Sequence, residues 1–131
     1  MTTEIKLKNK VFAILFDLST AKEGAFPATD PSWPLQLLLM KRKKGHIVKK
    51  HLHKKIVKTT KQPQECLVVI KGEILASIFD RQGKLIAKKN VKAGQCLFIT
   101  DGAHKVEILK SALMYEFKTG PYVDDKVFLK E

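Results

Sequence analysis

The stretch CLVVIKGEILASIFD at residues 66–80 decides how this chain is read. It is apolar, rich in β-branched residues, and broken near Gly72-Glu73. Runs of this kind, bounded by turn residues, read as strands. Working toward the C-terminus, RQGK with Gly83 predicts a hairpin turn between SIFD and LIAKKNV. AGQ predicts another turn before CLFIT, and DGA leads into HKVEIL and then SALMYEFKTG. In HKVEI, His104, Val106 and Ile108 share one face, while Lys105 and Glu107 share the other, as a period of two requires. Working toward the N-terminus, HIVKKHLHK and LQLLLM read as strands on either side of the basic KRKKG. Short apolar runs broken by Gly or Asp, with no long helical periodicity, predict an all-β sandwich or small barrel.

The 131 residues suit one domain over 1–131, able to bury a core without a disulfide or a metal. Its expected parts are an N-terminal strand or arm with a Pro-rich loop at 1–34, a barrel core at 35–122 and a tail at 123–131. The loop is marked by Gly24, Pro27, Pro31 and Pro34, and Trp33 is its expected packing anchor. The apolar VFAILF near the N-terminus is expected to be an edge strand or the seam of a homodimer. No apolar run is long enough to span a membrane, and no secretory leader is expected. Cys66 and Cys96 lie inside apolar runs and read as buried reduced thiols of a cytoplasmic protein.

Lys+Arg number 25 against 13 Asp+Glu, a net charge of +12. Such a balance favours anionic partners, whether nucleic acid, phosphorylated or nucleotide sugars, or a membrane surface. It also fits a lysine-coated surface with no partner at all.

His51 and His53 form an HxH pair. On a strand, positions i and i+2 face the same way, so two imidazoles can meet one metal ion. Gly45 precedes His51 with five residues between, and Glu65 precedes Gly72 with six between. Gly94 is followed by Thr100, Asp101, Gly102 and then His104. Over 45–108 the chain resembles the cupin superfamily, whose motifs read G-x5-H-x-H-x3/4-E-x6-G and G-x5-P-x-G-x2-H-x3-N. The gap from His53 to Glu65 is longer than in that pattern. Thr100 replaces the usual proline, Gln95 the usual Asp, and Glu107 the closing Asn. Lys58, the run LVVIKG, Gly120-Pro121-Tyr122 and Asp125-Lys126 are similar to features of a group of small single-domain cupins, in which Arg is commoner than Lys58.

The resemblance implies a double-stranded β-helix, a jelly-roll-like barrel, with a divalent transition metal held by His51, His53, Glu65 and His104. Nitrogen and oxygen donors without a thiolate suit Fe, Mn, Ni, Zn or Cu. The resemblance does not imply a known reaction; the positive charge taken with cupin analogy favours a metal-dependent enzyme acting on a small anionic sugar or carboxylate, with isomerase, epimerase and dioxygenase chemistry all open. A non-enzymatic small-ligand binding or sensing cupin is the alternative.

Lys49 shares the histidines' face and is a candidate for the pocket rim, as is Lys58. Glu116 and Lys118 share one face of a strand, with Tyr115 and Phe117 on the other. If the aromatic face is in the core, as favoured, Glu116 and Lys118 are solvated. If the polar face lines the barrel, they are pocket groups. Tyr122 either closes the barrel mouth or packs after a turn. Expected partners are a small anionic molecule and a second copy of the chain. Nucleic acid is not expected, because no aromatic residue interleaves with the basic runs, and no membrane partner is expected.

Overall fold

A computed structural model describes residues 2–131. The strands are β1 (Thr2–Leu7), β2 (Lys10–Asp17), β3 (Gly24–Pro27), β4 (Leu38–Lys41), β5 (Glu65–Phe79), β6 (Leu85–Lys92), β7 (Gln95–Ile99) and β8 (Ala103–Lys118). One 3-10 turn, Leu18–Thr20, follows β2, and no α-helix occurs among the described residues. The chain is thus all-β, with antiparallel pairing throughout.

The 66–80 stretch is most of β5, the strand on which the rest is hung. Its first part pairs with β7 on one side and β8 on the other, and its second part with β6 and β8. Register shifts at Val69/Lys71, Lys71/Glu73 and Glu73/Ile74 mark the division. Such bulges bend and twist a strand. Gly72 sits at the bend with φ of 84°, a conformation that disfavours any side chain. A Cβ there would also collide with the carbonyl oxygens of Lys110 and Ser111 on β8. The two halves of β5 therefore fold toward each other. Leu67 and Val69 pack with Ile74, Ala76 and Ile78 in one buried cluster that also takes in Ala13, Leu97 and Ile99.

The opposite face of the β2–β7–β5 region carries a second cluster of Ile14, Phe16, Cys66, Cys96 and Phe98. It is covered by the Pro-rich loop and the β3–β4 hairpin, through Trp33, Leu35, Leu37 and Leu39. Trp33 stacks on Phe98 with ring centroids 5.8 Å apart, the anchoring role expected of it. Both cysteines are buried and unbridged. A hydrogen bond to Cys96, and then burial, push the Cys66 thiol far above its ordinary range.

Three expectations are corrected. VFAILF is neither an edge nor a seam: it lies in β2, between β1 and β7, with Phe12, Ala13, Ile14 and Phe16 buried. The N-terminal segment does add an edge strand to the main sheet, but that strand is β1, ahead of VFAILF. HIVKKHLHK forms no strand: residues 46–64 have no regular secondary structure and are exposed up to Pro63. Alternation along a chain offers a strand, but only a partner edge makes one, and this lysine-dense stretch has none. Finally, HKVEIL and SALMYEFK lie in one strand, β8, which runs unbroken past Lys110 and Ser111 and ends at Lys118.

Candidate functional site

The bend in β5 has a consequence at its far end. Glu65 opens the strand and His104 lies near the start of β8, paired with Ile78. Glu65 shares a strand face with Leu67 and Val69, and His104 shares one with Val106, so both are directed toward the enclosed side of the sheet. Folding the two halves together brings His104 Nε2 to 2.5 Å from Glu65 Oε1. The pair is partly buried, with side-chain exposures of 17% for Glu65 and 34% for His104.

Despite this contact, Glu65 Oε1 is the one buried side-chain polar atom among the described residues that lacks an aligned hydrogen-bond partner. The imidazole nitrogen lies against this oxygen at ion-pair distance. A carboxylate oxygen in this position is costly unless a proton or a cation compensates it. The His104 imidazole is the main cause holding the Glu65 carboxyl below the usual glutamate range, and burial opposes it. Glu116, within side-chain hydrogen-bonding reach, and the Lys118 ammonium add to the lowering. Glu65 is thus an anion at neutral pH.

Glu116 and Lys118 stand opposite Leu67 and Glu65 in the β5–β8 register. Lys118 Nζ is 3.6 Å from Glu116 Oε2 and 5.7 Å from the centre of the Tyr122 ring. Tyr115 and Phe117 are on the other face, 61% and 57% exposed. The aromatic face is therefore not in the core, while Glu116 and Lys118 are themselves exposed, as the favoured alternative expected of them. The polar face shares the enclosed side with Glu65, although Glu116 and Lys118 keep about half their surface in water.

The backbone around the pair is tied down by glutamines. Gln62 Nε2 donates to the Thr100 carbonyl at 2.7 Å. Gln64 N donates to Thr119 Oγ1 at 3.2 Å, and Thr119 N returns a bond to the Gln64 carbonyl at 3.1 Å. Nearby, Asp101 binds Lys10 Nζ and Arg81 Nη1 at 2.5 and 2.9 Å. Burial opposes its ionisation, yet the bonds from Lys10, the Gly102 N–H and Arg81 outweigh it and hold its carboxyl below the usual range. These contacts fix the loop that precedes His104.

His51 and His53 lie elsewhere, on the exposed 46–64 stretch. Their rings are 5.2 Å apart and edge-on, and His51 Nδ1 is 2.7 Å from the Lys49 carbonyl. Lys49 and Lys58 are on the same stretch and fully in water. The four expected metal ligands are thus found as two pairs, and no group of three or more His, Cys, Asp or Glu suited to a metal forms among the described residues. Glu65 and His104 bring a carboxylate oxygen and a ring nitrogen, donor types that a cation takes, and here they lie against each other. The remaining donors would have to come from His51 and His53.

One element passed over in the sequence is the tail. A cavity of about 390 Å³ adjoins His104 and Lys105, with Phe79, Val127, Phe128 and Leu129 among its lining. Lys105 Nζ holds Glu131 at 3.4 Å. The apolar VFL within the charged tail was the available clue. A second cavity of about 180 Å³, at Phe16, Asp17 and Lys22, shares no lining residue with this one. Comparison with known proteins finds no matching family model, no matching curated protein and no matching solved structure.

Proposed function

We propose that this chain is a small-molecule β-barrel of the cupin type, cytoplasmic, with the Glu65–His104 pair as its polar centre and an anionic sugar or carboxylate as its ligand. The observation that carries the reading is the contact of two residues 39 positions apart, both named by the same motif resemblance, on the enclosed side of a bent sheet. Glu116, Lys118 and Tyr122 beside Glu65 supply a carboxyl, an ammonium and a phenol around it.

In its metal-dependent form, Glu65 and His104 would hold a divalent transition metal together with His51 and His53. When bound, such an ion supplies Lewis-acid or dioxygen chemistry. The protein's own residues do the rest. Glu65 is kept ionised and so remains a donor or a proton acceptor. Lys118 offers positive charge to an anionic group.

A specific observation also favours a second form, a binding or sensing barrel without metal. His104 Nε2 already occupies the space beside Glu65 Oε1, and the two histidine-bearing regions are separate clusters. Elemental analysis of untagged protein separates the two. Near-stoichiometric transition metal, lost in both His104→Ala and His51→Ala while the fold persists, establishes the metal-dependent form. Absence of metal, with no metal-induced shift of Tm, removes that form. If small carboxylates and sugar acids then also fail to raise Tm, the small-molecule reading itself falls. Oxygen uptake with an active substrate distinguishes a dioxygenase from an isomerase. A second copy of the chain remains part of the proposal, because β8 has no second partner strand among the described residues.

A further inference from the structure

Residues 41–61, KRKKGHIVKKHLHKKIVKTTK, hold ten of the chain's 25 Lys and Arg and no Asp or Glu. The remainder carries 15 cations against 13 acids. Nearly all of the net +12 therefore resides in 21 residues, and the barrel is close to neutral. Beyond Lys41, the last residue of β4, the stretch has no regular secondary structure and is exposed throughout. Its only ion pair among the described residues is Lys43 Nζ to Glu23 at 3.5 Å. The charge is thus held off the fold and left uncompensated.

Charge alone would be a solvated surface. The same stretch, however, exposes five aliphatic side chains, Ile47, Val48, Leu52, Ile56 and Val57, from 57% to 91%. Val48, Leu52 and Ile56 recur every four residues, the spacing of one side of an amphipathic segment, and Lys50, Lys54 and Lys58 follow each by two. Lysines interleaved with exposed aliphatics match an anionic lipid surface, where the ammonium groups meet headgroups and the aliphatic groups enter the boundary with the acyl chains. They match nucleic acid less well. Residues 41–61 contain no Phe, Tyr or Trp to stack on bases, and aliphatic groups gain little against a phosphate backbone.

We propose that residues 41–61 dock this chain on the surface of anionic membranes, with the lysines supplying attraction and Val48, Leu52 and Ile56 the apolar anchor. This is a surface contact: no helix of the described residues is long and apolar enough to cross a membrane. It goes beyond the expectation of no membrane partner, which rested on the lack of an apolar run long enough to span a bilayer. The inference needs no metal or ligand at the Glu65–His104 pair, and a metal that drew His51 and His53 to that pair would compete with it.

The test is co-sedimentation of the full chain with phosphatidylcholine vesicles, with and without phosphatidylserine. A triple variant, Val48→Ser, Leu52→Ser and Ile56→Ser, keeps every charge, and circular dichroism checks its fold. Expected results are binding only to the phosphatidylserine vesicles, weakening as salt is raised, and at least a tenfold loss of partitioning in the triple variant. Duplex DNA and single-stranded RNA are titrated in parallel. Folded protein that ignores phosphatidylserine vesicles overturns the proposal. Vesicle binding that the triple variant retains in full overturns it too, since charge alone would then account for the attraction. Tight nucleic-acid binding without vesicle binding assigns the stretch to nucleic acid instead.

Discussion

The β5–β8 strand pair and the 41–61 stretch are built from opposite materials. β5 has hydrogen-bonded neighbours on both sides for most of its length, and Ile74, Ala76 and Ile78 on it are fully buried. The 41–61 stretch has aliphatic residues as well, but Leu52 is 84% and Val57 91% exposed. The difference is not hydrophobicity. It is whether lysines are spaced so that one side of the chain can lose its water. In β5 the lysine and glutamate positions are Glu65 at its first residue and Lys71 and Glu73 flanking the bend, leaving the runs between and beyond them almost wholly apolar. In 41–61 no three consecutive residues from 46 to 58 lack a charged or imidazole side chain. Folding energy is thus concentrated in one region, and charge in the other.

The largest expected effect that tests this contrast is at Phe98. It is fully buried, stacks on Trp33 and joins the main sheet to the loop that covers it. Phe98→Ala should cost about 3–5 kcal/mol in urea unfolding, the range for deleting a large buried ring. A loss below about 1 kcal/mol would mean that the covering loop contributes little and that the second cluster is not a core.

Gly72 comes next. A side chain there would need a left-handed backbone and would meet two β8 carbonyls. Gly72→Ala should cost about 3 kcal/mol, by strain and by displacement of β8. It should also separate Glu65 from His104, because only the bend joins them. A variant that unfolds like the parent and keeps its ligand or metal response would show that the bend does not create the site.

The legibility of these features in the sequence follows the same physics. Turns were readable because Gly83, Gly94 and Gly102 stand where φ is positive and polar residues surround them. β5 was readable because its composition is local. The place of β2 was not, since its partner β7 lies some eighty residues away and VFAILF looks the same at an edge or in the interior. The faces of β8 were separable by alternation, but which face is enclosed depends on the bend at Gly72, and so Tyr115 and Phe117 were put inside. HIVKKHLHK had the alternation of a strand and lacked the edge to pair with. Within the candidate site, spacing singled out Glu65 and His104, while the neighbourhood of Glu116, Lys118 and Tyr122 became visible only through the register of β5 with β8.

A smaller effect is expected in acid. The Glu65 carboxyl titrates below its ordinary value of 4.5 in the folded chain, chiefly because of His104. A depressed folded value means that the unfolded chain takes up protons first as pH falls. The stabilisation is therefore complete above the ordinary value and is lost as pH drops through the folded one. Asp101, also depressed from 3.8, adds to the same acid limb. Melting curves of the parent should fall in Tm from about pH 5 downward, and Glu65→Gln should flatten part of that fall while Asp101 preserves the rest. A parent and variant with parallel acid limbs would place the Glu65–His104 contact outside the stable fold.

The smallest effect is the sharpest check on the contrast. Leu52→Ser combined with Ile56→Ser removes two aliphatic groups, a change that costs several kcal/mol in a core. Here both side chains are already in water, so the folded and unfolded states lose the same contacts. The double variant should unfold within about 0.5 kcal/mol of the parent, the range of surface substitutions. Its Tm should likewise be nearly unchanged at neutral pH. A loss above about 1 kcal/mol would require the 41–61 stretch to pack against the barrel in solution. His51 and His53 would then be drawn toward Glu65 and His104, and the chain would gain a four-ligand centre at the expense of a free basic surface.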